Sequence, residues 1–467
     1  MAEPRTLWTS DEMLSATGGR PSGEPFAATG VSIDTRSLEP GDLFVALRDL
    51  RDGHEFVGQA MALGAAGALV ERAPSGSAIV VDNTLTALEG LGLAARTRAT
   101  QAKRGAITGS VGKTSVTQAV AAGLALAGPA HASIKSYNNH IGVPLTLARM
   151  PRETRRAVFE IGMNHAGEIE PLARMVAPDV VAITTVGAVH TENFPDGEAG
   201  VARAKAEIFA GLAPGGTAVL NLDDPWFAFL RREAVHAGAR ILTFGSVEDA
   251  DAELLTFAPT DEGARVTARI GGEVLSFPIR QSGQHWGLNS LAVLLVLGEL
   301  DVDRPTSLAA LSTFAPLDGR GAARRIQLPD GAFTLVDESY NANPVSMGAA
   351  LKTLGSVPVQ GRRIVALTDM LELGDEAANL HAGLIEPIEV AGVDLVFCAG
   401  PLMAALWRSL PPARRGGYAP DAAELASQLE RAIAPGDVVM VKGSKGSKAH
   451  AVAERLMALD VGARKAG

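Results

Sequence analysis

Short apolar runs, each about the length of a strand, recur along the chain between longer stretches whose apolar residues fall three and four positions apart. Residues 43–47, 68–70 and 78–81 are such runs, with a helical stretch over 55–63, and together they predict a small α/β unit. Residues 85–100 have helical spacing and lead into the run 105–108. That run enters a glycine loop and then an Ala-rich helix after Lys113, which makes a strand, loop and helix in succession. Further buried strands are predicted at 157–161, 180–186 and 217–221. The segment 265–279 differs, because two alternating runs flank Gly271-Gly272, the pattern of a hairpin beside the main sheet. From about Pro316 the cadence restarts, with apolar runs at 333–336, 363–367, 393–398 and 438–441, each followed by a helix-like stretch. A second doubly wound α/β domain is expected there.

The length of 467 residues suits about three domains, and the pattern divides them at 1–84, 85–315 and 316–467. Hydrophobic residues make up 47% of the chain and aromatic ones only 4%, so the cores must be built from Ala, Val, Leu and Ile. The formal net charge of -10 with both signs interspersed argues against a broad basic face for nucleic acid. Anionic ligands would need local basic or backbone-amide sites. The single cysteine, Cys398, excludes an internal disulfide framework and a multi-cysteine zinc site, and reads as a core thiol. Residues 1–10 lack a basic stretch followed by an apolar run, and no run reaches spanning length without polar interruption. A soluble cytoplasmic protein is expected.

The sharpest chemical signal is the loop Gly109, Ser110, Val111, Gly112, Lys113, Thr114 and Ser115 between a strand and a helix. Such a loop aims successive amides at phosphate oxygens, with Lys113 as a point charge and the Thr114 hydroxyl available to Mg²⁺. It is shorter than the usual phosphate loop, since Ile107 stands where the first glycine would be. Glu160 ends an apolar run in the same unit, where ligands of open sheets collect, and a carboxylate there could hold a cation. Alone, Glu160 reads as a solvated or capping residue, His190 as a loop histidine and Lys205 as a solvated helix lysine.

Taken together and in order, these signals resemble the motifs of the Mur ligase family. The resemblance is carried by 109–115, by 138–144 beginning Asn138-Asn139-His140, by 160–164 beginning Glu160-Ile161-Gly162, by His190 to Phe194 and by Lys205 with its neighbours. It continues through His285 to Asn289, Gly319-Arg320-Gly321, Asp337 to Pro344 and Asp369 to Gly374, and so spans nearly the whole chain. The stretch Tyr340-Asn341-Ala342-Asn343 resembles members that add D-alanyl-D-alanine rather than a single amino acid. Two positions depart from the pattern: Trp286 stands where many members have Asn, and His140 where Glu is common.

The resemblance implies a three-domain α/β architecture with a central P-loop parallel-sheet domain and a C-terminal Rossmann-like domain. It implies an ATP- and Mg²⁺-dependent ligase acting in peptidoglycan precursor synthesis. ATP would phosphorylate the carboxylate of UDP-N-acetylmuramoyl-tripeptide, and the amine of D-alanyl-D-alanine would attack the acyl phosphate. Thr114, Glu160, His190 and a carbamylated Lys205 are the implied metal ligands, with Lys113, His190 and Lys205 the catalytic set. Asn289, Arg320 and Asp337 would grip the nucleotide, Tyr340, Asn341 and Asn343 the dipeptide, Thr35 and Arg36 the UDP end, and Asn139 the substrate. The chain is expected to act as a monomer, without nucleic acid. Two rivals of different chemistry are a P-loop kinase or nucleotide switch, which joins no acid to an amine, and a catalytically dead binding module.

Overall fold

The computed structural model describes residues 5–49, 51–74, 76–134, 136–189, 191–260 and 262–462. Among these residues the strands form three larger sheets and one two-stranded ribbon, each larger sheet with buried apolar faces of its own.

The first sheet orders Arg20–Ser22, Ala78–Val80, Gly67–Val70, Asp42–Val45 and Gly30–Ser32, with only Arg20–Ser22 antiparallel to its neighbour. The predicted helical stretch is a 3₁₀ turn, Gly53–Phe56, running into the helix Val57–Ala62. The helix Thr84–Arg98 starts where the Asn83 side chain accepts the Thr86 amide at 2.9 Å, and it buries Ala87, Leu88, Leu91 and Ala95 at helical spacing. Its glycines permit close approach on two sides. A Cβ at Gly90 would meet the Ala16 carbonyl oxygen at 2.5 Å, and one at Gly92 the Pro144 carbonyl oxygen at 3.1 Å. The helix therefore packs the first sheet's core onto the helix Gly142–Ala148 of the next unit.

The second sheet has nine strands. Seven are parallel, in the order Ala252–Thr260, Arg240–Gly245, Thr217–Asn221, Val180–Ile183, Lys103–Thr108, Arg156–Glu160 and Ala130–Ala132. The expected hairpin, Gly263–Ile270 and Glu273–Ile279, does not stand beside this sheet but continues it antiparallel from Ala252–Thr260. From Lys103–Thr108 the chain first moves to one side, to Ala130–Ala132 and Arg156–Glu160, and then crosses to the other with Val180–Ile183. That reversal beside the first strand is a topological switch point, where open α/β sheets bind their ligands at the carboxyl ends of the strands.

The third sheet orders Ala322–Leu328, Gly331–Glu338, Val438–Lys442, Arg363–Thr368, Leu395–Ala399 and Arg415–Ala419, all parallel except the first. Cys398 is buried in it, its thiol pushed up to about 12 by burial, as befits an inert core residue. The cores are largely aliphatic as the composition requires, with Phe44, Phe159, Phe244, Phe333 and Phe397 among the fully buried aromatics. Among the described residues no helix is long and apolar enough to cross a membrane.

Candidate active site

The carboxyl ends of the second and third sheets share one cavity of about 670 Å³. Its floor is the loop that follows Thr108. Gly109 has φ +149° and Gly112 φ +90°, and a Cβ on Gly109 would lie 1.9 Å from the Thr184 hydroxyl, so glycine is required where the loop turns. Ser110 and Thr184 fasten the loop from outside: the Ser110 hydroxyl donates to the Gly187 carbonyl at 3.0 Å, and the Thr184 hydroxyl to that of Val111 at 2.5 Å. With those side chains committed, the amides of Val111, Gly112, Lys113 and Thr114 have no acceptor among the described residues. They open the helix Lys113–Leu126, whose dipole adds positive potential at the same place, the arrangement of an anion site.

Lys113 folds back over this loop, its Nζ donating to the Gly109 carbonyl at 2.6 Å. Desolvation lowers its pKa, opposed by the nearby Glu160 carboxylate and reinforced by Arg320. Glu160 is buried at 1% exposure. Its Oε1 accepts from Asn138 Nδ2 at 2.6 Å, while its Oε2 is buried without a partner among the described residues. An ionised oxygen left so is costly unless a cation completes it. Glu160 and the buried Thr114 hydroxyl thus fit a divalent ion bound beside the phosphates.

Lys205 is not solvated as a lone helix lysine would be. It lies in the last turn of Glu198–Ala206 at 2% exposure, and among the described residues no carboxylate pairs with it. Burial first, and then the charge of Lys113, hold its pKa well below the ordinary lysine value. His190 lies outside the described residues, and Thr191, next to it, donates to the Leu373 carbonyl at 3.5 Å. Asp369 to Gly374 and Thr191 to Phe194, distant in sequence, therefore meet.

The third sheet closes the cavity. Arg320 donates from Nη2 to the Thr114 hydroxyl at 3.0 Å, and its guanidinium lies 3.9 Å over the Tyr340 ring. Tyr340 is half-buried, its hydroxyl in contact with that of Ser136, so it packs and lines the site at once. Asn289 also lines the cavity, its side chain next to Gly112.

Other predicted residues serve the scaffold. Asp337 accepts the Gly319 amide at 3.2 Å and the Ser339 amide at 3.1 Å, so its carboxylate holds the turn that carries Arg320. Asn343 lines the cavity and also caps the helix Pro344–Ser356, accepting the Ser346 amide at 2.9 Å. Asn139 lines the cavity but spends its oxygen on the Gly142 amide at 2.9 Å. Thr35 and Arg36 lie in the turn between Gly30–Ser32 and Asp42–Val45 of the first sheet and are absent from the residues lining this cavity. Arg36 is exposed and paired with Asp34 at 2.6 Å. Trp286 is 4% exposed and packs against Phe314, with ring centroids 5.8 Å apart, as a core residue. His140 is exposed and does not line the cavity. Asn138 was passed over although it stands beside Asn139 in the same motif. Ser136, Lys442 and Lys445 were also missed.

Known proteins fit this geometry. The model of the Mur ligase middle domain matches residues 107–297, and that of the Mur ligase glutamate ligase domain matches 324–445. The UDP-N-acetylmuramoyl-tripeptide–D-alanyl-D-alanine ligase of Bacillus subtilis (strain 168) is 32% identical over 463 residues, covering 97% of this chain and 98% of that protein. The chain belongs to the Mur ligase family. The Escherichia coli (strain K12) enzyme of the same name is 33% identical, covering 97% and 98%. A crystal structure of MurF from Acinetobacter baumannii superposes with a TM-score of 0.84 at 27% identity, over 97% of this chain and 99% of that one. The family's middle-domain match begins at Ile107, immediately before the phosphate loop, and its C-terminal match ends at Lys445, on the rim of the cavity.

Proposed function

We infer that this chain is an ATP-dependent ligase that joins D-alanyl-D-alanine to UDP-N-acetylmuramoyl-tripeptide in peptidoglycan precursor synthesis. The observation that carries this reading is the full-length likeness to ligases of that name, together with one cavity walled by both a phosphate loop and the Tyr340-Asn341 segment. A carboxylate does not react with an amine directly, because its oxygen is a poor leaving group. Transfer of the γ-phosphate of ATP to it makes an acyl phosphate, which the dipeptide amine then attacks with release of phosphate. This chemistry needs positioning and charge stabilisation more than acid or base strength.

The site's own residues suit those tasks. The free amides of Val111 to Thr114 and the ammonium of Lys113 face negative charge, and Arg320 brings a guanidinium from the opposite wall. Thr114 and Glu160 would hold Mg²⁺, with His190 and a carbamylated Lys205 proposed for a second ion. The bound ions would neutralise phosphate charge during transfer. Contacts such as Arg320 with Thr114 and Tyr340 with Ser136 draw the two sheets together, which would keep water from a hydrolysable acyl phosphate. The proposal assigns the reaction to the cytoplasm.

Residues 1–84 are proposed to bind the UDP end, 85–315 ATP and 316–467 the dipeptide. Asn341→Ala is then expected to raise the dipeptide requirement through lost polar contacts of about 1 to 3 kcal/mol and to leave UDP-tripeptide binding unchanged. Arg36→Ala should do the opposite. Direct binding of UDP-tripeptide and the steady-state dependence on D-alanyl-D-alanine, measured for both variants in parallel, check the division. Loss of UDP-tripeptide binding in Asn341→Ala with an unaltered dipeptide dependence would refute it.

A further inference from the structure

Four cations line the cavity among the described residues: Lys113, Arg320, Lys442 and Lys445. Three are already engaged. Lys113 lies on the phosphate loop, bonded to the Gly109 carbonyl, and Arg320 bridges Thr114 and Tyr340. Lys442 is buried, with its side chain 3% exposed. It stands directly opposite Glu338 in the parallel pairing of their strands and donates to that carboxylate at 3.3 Å and to the Asn341 carbonyl at 3.1 Å. Drawing Lys442 onto a ligand would leave Glu338 unpaired in a largely buried place.

Lys445 alone remains. It sits just past the end of Val438–Lys442, and its main-chain N–H donates to Asn341 Oδ1 at 3.4 Å, so it shares one rim with a proposed dipeptide residue. Among the described residues its ammonium has no carboxylate and no acceptor.

We propose that Lys445 binds the terminal carboxylate of the incoming dipeptide and so makes the enzyme select the free acid over its amide. This rests on the function proposed above. D-Alanyl-D-alanine carries an amine at the reacting end and a carboxylate at the other. Seating it across the cavity calls for a counter-charge about one dipeptide from the acyl carbon, at the exposed rim where Lys445 stands. Lys445 supplies that charge from the third sheet, apart from the cations on the phosphate side. Lys442 is a positioning residue that holds the Asn341 loop.

The test compares D-alanyl-D-alanine with its C-terminal amide as acceptors, using the full-length protein with saturating ATP, Mg²⁺ and UDP-tripeptide. In Lys445→Ala and Lys445→Gln the KM for the free dipeptide is expected to rise about 10- to 100-fold, the range for a lost charge-assisted hydrogen bond. The KM for the amide should stay as in the wild type, kcat should move less than about threefold, and Lys445→Arg should restore the preference for the acid. An unchanged ratio of the two KM values in Lys445→Ala and Lys445→Gln overturns the inference, as does a shift in the UDP-tripeptide KM instead. A wild-type protein that couples neither acceptor overturns the functional reading itself, so the two failures are distinct.

Discussion

Replacing Lys113 with alanine is expected to lower ligation by about 100- to 1000-fold while leaving the fold intact. A preorganised charge placed where phosphoryl charge develops contributes about 3 kcal/mol or more, and the helix it opens does not depend on an ammonium. Among the described residues the Lys113 Nζ donates only to the Gly109 carbonyl, a contact that a phosphate oxygen would replace without disturbing the loop. The loop's shape comes from other groups, the two glycines and the Ser110 and Thr184 hydroxyls. Circular dichroism and thermal unfolding of the variant should therefore match the wild type. Near wild-type ligation with the same ATP requirement would show that the loop does not serve the transferred phosphate.

Lys205→Ala is expected to lose activity by about 100-fold, equivalent to about 2.7 kcal/mol of transition-state stabilisation, and to regain part of it with small carboxylic acids. Carbamylation needs the unprotonated amine: its nitrogen attacks the carbon of CO₂, a proton is lost, and an anionic oxygen donor results. A solvated lysine, with a pKa of about 10.4, is almost wholly protonated at neutral pH. Burial and the neighbouring Lys113 lower the pKa of Lys205, which favours the reactive form. Among the described residues no carboxylate stabilises it as a cation. Activity of the wild type should fall when bicarbonate and CO₂ are removed and recover when they are returned, and intact mass should rise by one CO₂ under gentle conditions. Full activity of Lys205→Ala without additive would remove Lys205 from the site.

Much of this was legible in the sequence because the responsible residues are local. The strand, glycine loop and helix around Lys113 depend on adjacent positions, and the runs at 217–221 and 438–441 are apolar because both sheet faces are covered there. Strands Arg240–Gly245 and Arg415–Ala419 escaped notice since their polar and glycine residues dilute the pattern, and Ala322–Leu328 because an edge strand carries Arg324 and Arg325 outward. Within the site, residue type alone could not separate ligand contacts from scaffold. Asn343, on the cavity wall, and Asp337 also satisfy backbone amides, whereas Asn138 and Lys442 gain their positions only when strands far apart in sequence come together. The phosphate loop stood out from its place after a strand, whereas Glu160 read alone as a solvated or capping residue and gained weight only from the family resemblance. The burial of Lys205 was not legible, since its neighbours on Glu198–Ala206 include exposed charges.

The shared cavity is expected to form an amide bond between the tripeptide carboxylate and the dipeptide amine. The direct measurement is mass spectrometry of the nucleotide-linked product after incubation with ATP, Mg²⁺, D-alanyl-D-alanine and UDP-muramyl tripeptides that differ in their third residue. One tripeptide should gain the mass of the dipeptide less one water, with one ADP and one phosphate released per bond formed and no product when any component is omitted. ADP release without a joined product, or equal use of a single amino acid in place of the dipeptide, would show that the cavity does not ligate D-alanyl-D-alanine.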